Sequence, residues 1–249
     1  MKLNLKQLKA GKIFRKKGLF GNSVLPCKQE LIAEGVGTFI LVFAGTGAIV
    51  ANTITDGAIT HLGVSFVFGA VVAALIYTLG HISGAHFNPA VTLGFSSIGS
   101  FSRNKVIGYT CGYIGVQCLG AIAASGILRL TFGNVANLGA TLPLNGNWWQ
   151  AFILEIILTF ILMLVILGVG LDRRAYNSFA GMAIGLTVGL DAACMGPITG
   201  ASMNPARSLG PALISGVWQY HWLYWIAPIL GAQLAVFVYR EMSEDAKKS

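Results

Sequence analysis

Two segments of this sequence, residues 80–94 and 196–210, repeat one polar pattern. Nine of their fifteen paired positions are identical, and each segment runs through glycines into Asn-Pro-Ala, at Asn88 and Asn204. An amide side chain donates and accepts hydrogen bonds, and the carbonyls of a non-helical backbone are free to accept them. The available chemistry is therefore hydrogen bonding to a small polar molecule. Because no Ser/His or paired-Asp arrangement has catalytic spacing, we predict that the protein is not an enzyme.

The one permanently charged difference between the segments is Arg207, which stands where the first segment has Val91. A guanidinium keeps its positive charge and repels protons and other cations. A charge beside such a segment in an apolar chain indicates a functional role, although a long basic side chain can also reach out to a membrane surface. We interpret Arg207 as a selectivity element.

The composition predicts that these segments lie in a membrane. Hydrophobic residues make up 55% of the chain and charged residues 10%, whereas a soluble domain carries about 25% charged residues. The apolar residues form blocks close to the ~20 residues that a membrane-crossing helix needs. They predict an all-α membrane protein with six spans, at residues 31–52, 59–80, 104–128, 148–170, 179–195 and 219–240.

The basic residues predict the orientation of the chain. Eight of the 17 Lys and Arg residues precede residue 30, and others follow the second, fourth and sixth spans. The remaining loops, 53–58 and 129–147, hold only Arg129. The positive-inside rule therefore predicts a multi-pass protein of the cell membrane with both termini in the cytoplasm. The net charge of +8 suits anionic lipid headgroups, and we predict no nucleic-acid partner.

The repeat divides the chain into two halves with three spans each, which requires opposite orientations in the membrane. After each Asn, residues 88–98 and 204–214 are too short to cross and predict half-helices, with Asn as the cap and Pro at the first position. Their N-termini would meet and concentrate positive potential. The predicted regions are a basic N-terminal arm at 1–29, a first half at 30–128, an extracellular connecting loop at 129–147, a second half at 148–240 and a C-terminal tail at 241–249.

A pair of Asn-Pro-Ala boxes, the second followed by Arg, on a duplicated six-span chain resembles the aquaporin or major intrinsic protein family. The resemblance covers about residues 30–240. It implies six transmembrane helices and two re-entrant half-helices in an inverted repeat. It also implies a homotetramer with one pore per subunit, which conducts water and in some members small uncharged solutes.

The two boxes and the residues before them are the predicted pore. The amides of Asn88 and Asn204 would donate to water, and the carbonyls before them would accept from it, because water in a narrow pore must replace lost hydrogen bonds. Glu34 and Glu155 are expected to accept hydrogen bonds from the loop backbone, with a proton relay as the alternative. The boxes are completed by Pro89, Ala90, Pro205 and Ala206, and the carbonyls are those of Gly84, Ala85, His86, Phe87, Gly200, Ala201, Ser202 and Met203.

By resemblance, four positions form the constriction, and here they are Phe68, Ala192, Ala201 and Arg207. Strict water channels carry His at the position of Ala192, so the resemblance predicts a wider, aquaglyceroporin-like aperture that admits glycerol, urea or similar solutes. By the same resemblance, the residue types at three other places match water channels better than glycerol channels. These places are Ser208, Ala212 and the pair 224–225. A strict water channel therefore remains an alternative, as does a structural or junction protein of the same fold.

Other side chains are less informative. The four cysteines form no pair or cluster with metal-ligand spacing, and we predict no metal or other cofactor. Asp191 pairs with Arg207, draws polar solutes to the outer mouth or is an interfacial residue at a helix end. His86 is expected to line the cytoplasmic vestibule of the pore, and His81 to tether its loop as a buried histidine.

Overall fold

A computed structural model describes residues 25–102, 104–171 and 179–245. Most of the predicted N-terminal arm, the end of the C-terminal tail, and Arg103, Arg173 and Arg174 lie outside these ranges. Within them the chain forms α-helices and short 3-10 helices and no β-strand. The helices are α1 (Lys28–Ile54), α2 (Thr60–Ser83), α3 (Pro89–Ile98), α4 (Val106–Phe132), α5 (Trp148–Leu171), α6 (Ala180–Thr199), α7 (Pro205–Ser215) and α8 (Leu223–Asp245). Two 3-10 helices, Val135–Gly139 and Leu144–Gly146, lie between α4 and α5.

Six of these helices, α1, α2, α4, α5, α6 and α8, are long and apolar enough to cross a membrane. Their outer surfaces carry large apolar side chains such as Phe66, Ile107 and Leu130, which are 73%, 76% and 87% exposed. Such surfaces suit lipid contact, and a helix satisfies its own backbone in a bilayer. The six predicted spans and the all-α membrane class are confirmed.

Helix α6 continues four residues beyond its predicted end at residue 195. The sequence Gly196-Pro197 predicts a stop because proline has no N–H to donate to the carbonyl four residues earlier. That carbonyl belongs to Ala193, and the Nε2 atom of His61 lies 2.9 Å from it. A carbonyl only accepts, so Nε2 carries the proton. A side chain of α2 therefore supplies the bond that Pro197 cannot make.

The helices of the two halves pack against each other as well as within each half. Helix α1 packs on α4 and α5 packs on α8, while α2 of the first half packs on α6 of the second. The short helices cross between halves, because α3 packs against α8 and α7 against α4. Glycines permit the closest approaches: a Cβ atom on Gly185 would lie 2.4 Å from the carbonyl oxygen of Gly69, and one on Gly120 would lie 2.2 Å from that of Gly35.

Candidate functional site

Asn88 and Asn204 cap the two short helices, α3 and α7. Both have extended backbones, with φ of −156° and −149°, and a proline follows each as the first helical residue. Asn88 Oδ1 accepts from the N–H of Ala90 at 2.8 Å. Asn204 Oδ1 accepts from the N–H groups of Ala206 at 3.1 Å and Arg207 at 3.2 Å. The amide oxygens thus satisfy helix N-termini, which leaves the amide nitrogens to act elsewhere.

The two amide nitrogens join the loops to each other. Asn88 Nδ2 donates to the carbonyl of Met203 at 2.7 Å, and Asn204 Nδ2 donates to that of Phe87 at 2.8 Å. This reciprocal pair adds to the expected role of the nitrogens, which is donation to water in the pore. Because an amide nitrogen carries two hydrogens, each Asn keeps one N–H beyond this contact. The carbonyls of Phe87 and Met203 each have one acceptor position already used.

Two fully buried carboxylates hold the loop backbones from behind. Glu34 accepts from the N–H groups of His86 at 2.9 Å and Phe87 at 2.7 Å. Glu155 accepts from those of Ser202 and Met203, both at 2.8 Å. Each carboxylate also accepts from a hydroxyl at the loop entrance, Ser83 at 2.6 Å and Thr199 at 2.9 Å, and Glu34 from Gln117 Nε2 at 2.8 Å.

The loops require this support because their backbones are unusual. Phe87 and Met203 have φ of 49° and 52°, and Ala85 and Ala201 have φ of 52° and 39°. A non-glycine residue in the left-handed region carries a steric cost that the surroundings must offset. The charge-assisted bonds to Glu34 and Glu155 supply that stabilisation.

A cavity of about 840 Å³, including solvent space at its mouth, runs between the two loops and the long helices. Its lining combines residues of the two loops with apolar side chains of the long helices, namely Leu41, Val72, Ile76, Leu162, Ile166 and Val188. The predicted residues that line it are Phe68, Gly84, Ala85, His86, Phe87, Asn88, Ala192, Ala201, Ser202, Met203, Asn204 and Arg207. Gly200, the Pro-Ala pairs of both boxes and the two carboxylates stand outside this lining.

The four predicted constriction residues share this cavity. The Arg207 guanidinium carbon lies 5.0 Å from the centre of the Phe68 ring, and Arg207 is 3% exposed. Its Nη1 donates to the carbonyl of Gly139 at 2.8 Å. A Cβ atom on Gly45 of α1 would lie 2.1 Å from the Phe68 ring, so only glycine leaves room for that ring. An aromatic face, a fixed cation and two alanine methyl groups therefore line the same cavity.

The sequence profile of the family described as Major intrinsic protein matches residues 22–239. The chain belongs to the major intrinsic protein family. Its relatives include Nodulin-26 of Glycine max, 49% identical over 216 residues that cover 86% of this chain and 78% of that protein. Aquaporin NIP1-1 of Zea mays is 47% identical over 216 residues, which cover 86% and 75% of the two chains.

Among solved structures, the aquaglyceroporin from Plasmodium falciparum superposes with a TM-score of 0.75 and 30% sequence identity. The match covers 88% of this chain and 98% of the other. The family and the fold agree with the six membrane-length helices described above. This major intrinsic protein is therefore a membrane channel of the aquaporin type and not an enzyme.

Three sequence-based interpretations are wrong in this major intrinsic protein. Asp191 forms no ion pair with Arg207: it is 7% exposed, and its Oδ2 atom has no hydrogen-bond partner among the described residues. Asp191 also lies within α6, eight residues before its last residue Thr199, and so it is not at a helix end. His81 is exposed and does not tether its loop, whereas His86 lines the cavity with its ring stacked on Phe95 at 4.6 Å.

Several supporting residues of this channel were not anticipated. Ser83 and Thr199 occupy equivalent positions of the repeat, and that equivalence was a signal that could have identified them. The Tyr113 hydroxyl donates to the Ser83 carbonyl at 2.8 Å, and the Tyr224 hydroxyl donates to the Thr199 carbonyl at 2.6 Å. Gly139 had no sequence signal, because its contact with Arg207 joins residues far apart in the chain.

Proposed function

We propose that this member of the major intrinsic protein family is a passive channel for water and for small neutral solutes such as glycerol or urea, and that it excludes protons and other ions. The observation that carries the proposal is that Ala192 and Ala201 line the same cavity as Phe68 and Arg207. At residues 192 and 201 the side chains are only methyl groups, whereas a bulky hydrogen-bond donor at either position would narrow the aperture.

Water conduction is supported by the polar side of the cavity. Loop residues 84–87 and 201–203 offer carbonyl acceptors, and the second N–H of Asn88 and of Asn204 offers donors. A water molecule that enters can replace part of its lost hydrogen bonding, which keeps the barrier low. The apolar side chains of the same cavity bind water weakly, which favours its movement along the pore.

Ion exclusion is supported by the charges around the cavity. Arg207 is cationic, and the N-termini of α3 and α7 add partial positive charge at the level where the loops meet. The described residues that line the cavity include no Asp or Glu. Donors directed at a water oxygen also turn its hydrogens away and interrupt proton transfer along a water file. Cations and protons thus meet a barrier that neutral molecules do not.

Solute passage is supported by the shape of the constriction. The Phe68 ring is a flat apolar wall, and Arg207 has N–H groups beyond the one bonded to Gly139. Glycerol carries a hydrocarbon side and hydroxyl groups that match these two surfaces. The solved relative from Plasmodium falciparum is an aquaglyceroporin, which agrees with this assignment.

Assembly, regions and orientation are part of the proposal. We infer a homotetramer in the bilayer of the cell membrane, with halves at 30–128 and 148–240 and both termini in the cytoplasm. The family resemblance supports the tetramer, and the distribution of Lys and Arg supports the orientation. The segment between the halves would then be extracellular, so the end of the cavity that holds Arg207 would be the outer one.

Solute uptake in reconstituted vesicles tests the proposal. Vesicles that contain the protein are mixed with a hypertonic solution of glycerol or urea and shrink. The recovery of vesicle volume is then followed by light scattering. We expect recovery with either solute to be faster than in protein-free vesicles of the same lipid. Water flux without any solute-dependent recovery would instead identify a strict water channel, and the inference from Ala192 and Ala201 would be wrong.

A further inference from the structure

Three buried hydroxyl groups link the connecting segment, residues 133–147, to the second re-entrant loop. Thr141 Oγ1 lies 2.8 Å from Ser208 Oγ, which lies 2.6 Å from Ser202 Oγ. Ser202 Oγ donates to the carbonyl of Asn204 at 2.9 Å and accepts from the N–H of Asn204 at 3.3 Å. Thr141, Ser202 and Ser208 are 6%, 4% and 0% exposed.

The direction of this chain follows from the number of protons available. Each hydroxyl has one proton to donate. Ser202 donates its proton to Asn204, so Ser208 must donate to Ser202, and Thr141 must donate to Ser208. The three bonds therefore run in one direction, from the connecting segment to the backbone of the residue that caps α7. Loss of the Thr141 hydroxyl would leave Ser208 without its donor.

A second contact ties the same segment to the neighbouring residue of α7. Arg207 Nη1 donates to the carbonyl of Gly139, two residues before Thr141. Thr141 also packs on the loop itself, because a Cβ atom on Gly200 would lie 2.9 Å from Thr141 Cγ2. Positions 139 and 141 thus hold positions 207 and 208.

The connecting segment is itself held in place. Leu138 is fully buried, and its φ of 55° lies in the left-handed region. A Cβ atom on Gly139, whose φ is 72°, would lie 3.0 Å from the Thr46 side chain of α1. The Gly139 carbonyl therefore has little freedom to follow Arg207, and the position of Arg207 depends on the segment.

The first half repeats only the inner bond of this chain. Thr92 occupies the position equivalent to Ser208, and its Oγ1 atom lies 3.1 Å from Nδ1 of His86, which occupies the position of Ser202. Thr92 Oγ1 also accepts from Gln117 Nε2 at 3.0 Å and donates to the Asn88 carbonyl at 3.0 Å. Its outer side-chain partner therefore comes from α4 and not from a connecting segment. Val91, at the position of Arg207, needs no polar partner. The link to a connecting segment is thus confined to the half that carries the charge.

We infer that Thr141 and Ser208 are positioning residues for Arg207, and that the connecting segment thereby sets the solute selectivity of the channel. With these hydroxyls in place, the connecting segment stays hydrogen-bonded to Ser208 of α7. The Arg207 guanidinium then stays bonded to the Gly139 carbonyl at the cavity wall. Without them the segment loosens and Arg207 moves into the path of the solute. The inference rests on the proposed function, because it assumes that Arg207 borders the aperture.

The test is the ratio of glycerol to water permeability in reconstituted vesicles. A change in the number of folded channels alters both permeabilities together and leaves the ratio unchanged, whereas a displaced Arg207 affects the larger solute more. We expect Thr141→Val and Ser208→Ala to lower the ratio by about three- to tenfold, the factor that the loss of one neutral hydrogen bond gives.

Two variants serve as controls. Thr141→Ser keeps the hydroxyl and should keep the wild-type ratio. Thr131→Val removes an exposed hydroxyl that bonds only to the carbonyl of Ile127 in its own helix, and it should also keep the ratio. An unchanged ratio in Thr141→Val and Ser208→Ala, with glycerol uptake intact in the wild type, would overturn the positioning role alone. A wild-type channel without glycerol uptake would contradict the proposed solute range instead.

Discussion

At the scale of single residues, the two buried glutamates show how a strained loop is held inside a membrane. Glu34 accepts from two consecutive backbone N–H groups, a hydroxyl and an amide. Glu155 repeats the arrangement with two N–H groups and a hydroxyl. Glu34 accepts four hydrogen bonds and Glu155 accepts three, most of them from the loop or its entrance, so these carboxylates are structural supports. This arrangement favours loop support over a proton relay.

Replacement of Glu34 by Ala should therefore destabilise the protein strongly. The N–H groups of His86 and Phe87 would remain buried without an acceptor, at a cost of roughly 1–3 kcal/mol for each group. We expect a clear fall in the melting temperature of the detergent-solubilised protein. Glu241→Ala is the matched control, since that carboxylate is exposed near the end of α8 and its removal should leave the melting temperature unchanged.

Arg207→Val tests the contribution of the single guanidinium charge. The first half carries Val91 at the equivalent position, so the fold tolerates this side chain there. A nearby unit charge contributes on the order of 1–4 kcal/mol to the barrier for a cation, so we expect proton leak to rise about tenfold or more. Proton flux is measured with a pH-sensitive dye inside vesicles. If the variant still blocks protons completely, the N-termini of α3 and α7 alone are sufficient for proton exclusion.

Ala192→His tests whether a small side chain widens the aperture. An imidazole beside Phe68 and Arg207 would fill the space that the methyl group leaves. We expect glycerol permeability to fall by about tenfold or more, a factor that a barrier increase of ~1.4 kcal/mol produces, while water permeability persists. Ala192→Ser adds one atom and should retain glycerol passage. Equal glycerol permeability in the His variant and the wild type would refute the assignment of Ala192 to the constriction.

At the scale of elements, helix α6 shows how one distant side chain extends a helix past proline. Pro197 leaves the Ala193 carbonyl without its intrahelical donor, and His61 of α2 supplies one. This bond also fixes the end of α6 from which the second loop departs. Helix length and loop geometry are therefore set jointly by two helices.

A double replacement tests this account of α6. His61→Ala should lower the free energy of unfolding by roughly 0.5–1.5 kcal/mol, because one hydrogen bond at an exposed site is lost. In the variant that also carries Pro197→Ala, residue 197 regains an N–H for the Ala193 carbonyl, and most of the loss should be recovered. Melting temperatures of the wild type, both single variants and the double variant measure the coupling. Additive effects would contradict the compensation.

The same elements show what the sequence could predict. The half-helices were predicted to within one residue, because Asn and Pro are local signals of a helix start. The ends of α2 and α6, at Ser83 and Thr199, lie beyond the predicted residues 80 and 195, and at α6 the bond from His61 comes from far away in the chain. The reciprocal bonds of Asn88 and Asn204 and the contacts of Gly139 and Thr141 were missed for the same reason. Each depends on how the halves meet, which local patterns do not encode.

At the scale of the whole molecule, the halves are complete only together. Helix α3 packs against α8, α7 packs against α4, and the two Asn amides bond across the junction. The cavity lies between these halves, so neither half encloses it alone. The repeat therefore supplies the symmetric centre, and we propose that the departures from symmetry, Arg207 and its connecting segment, supply the selective end.

The central claim is that this cavity passes neutral molecules and excludes protons. The most direct test measures water and proton flux in the same reconstituted vesicles, by stopped-flow light scattering after an osmotic step and by an internal pH dye after a pH step. We predict osmotic water permeability well above that of protein-free vesicles, with a lower activation energy and no added proton flux. Water permeability equal to that of protein-free vesicles, or proton flux that rises together with water flux, would contradict the claim.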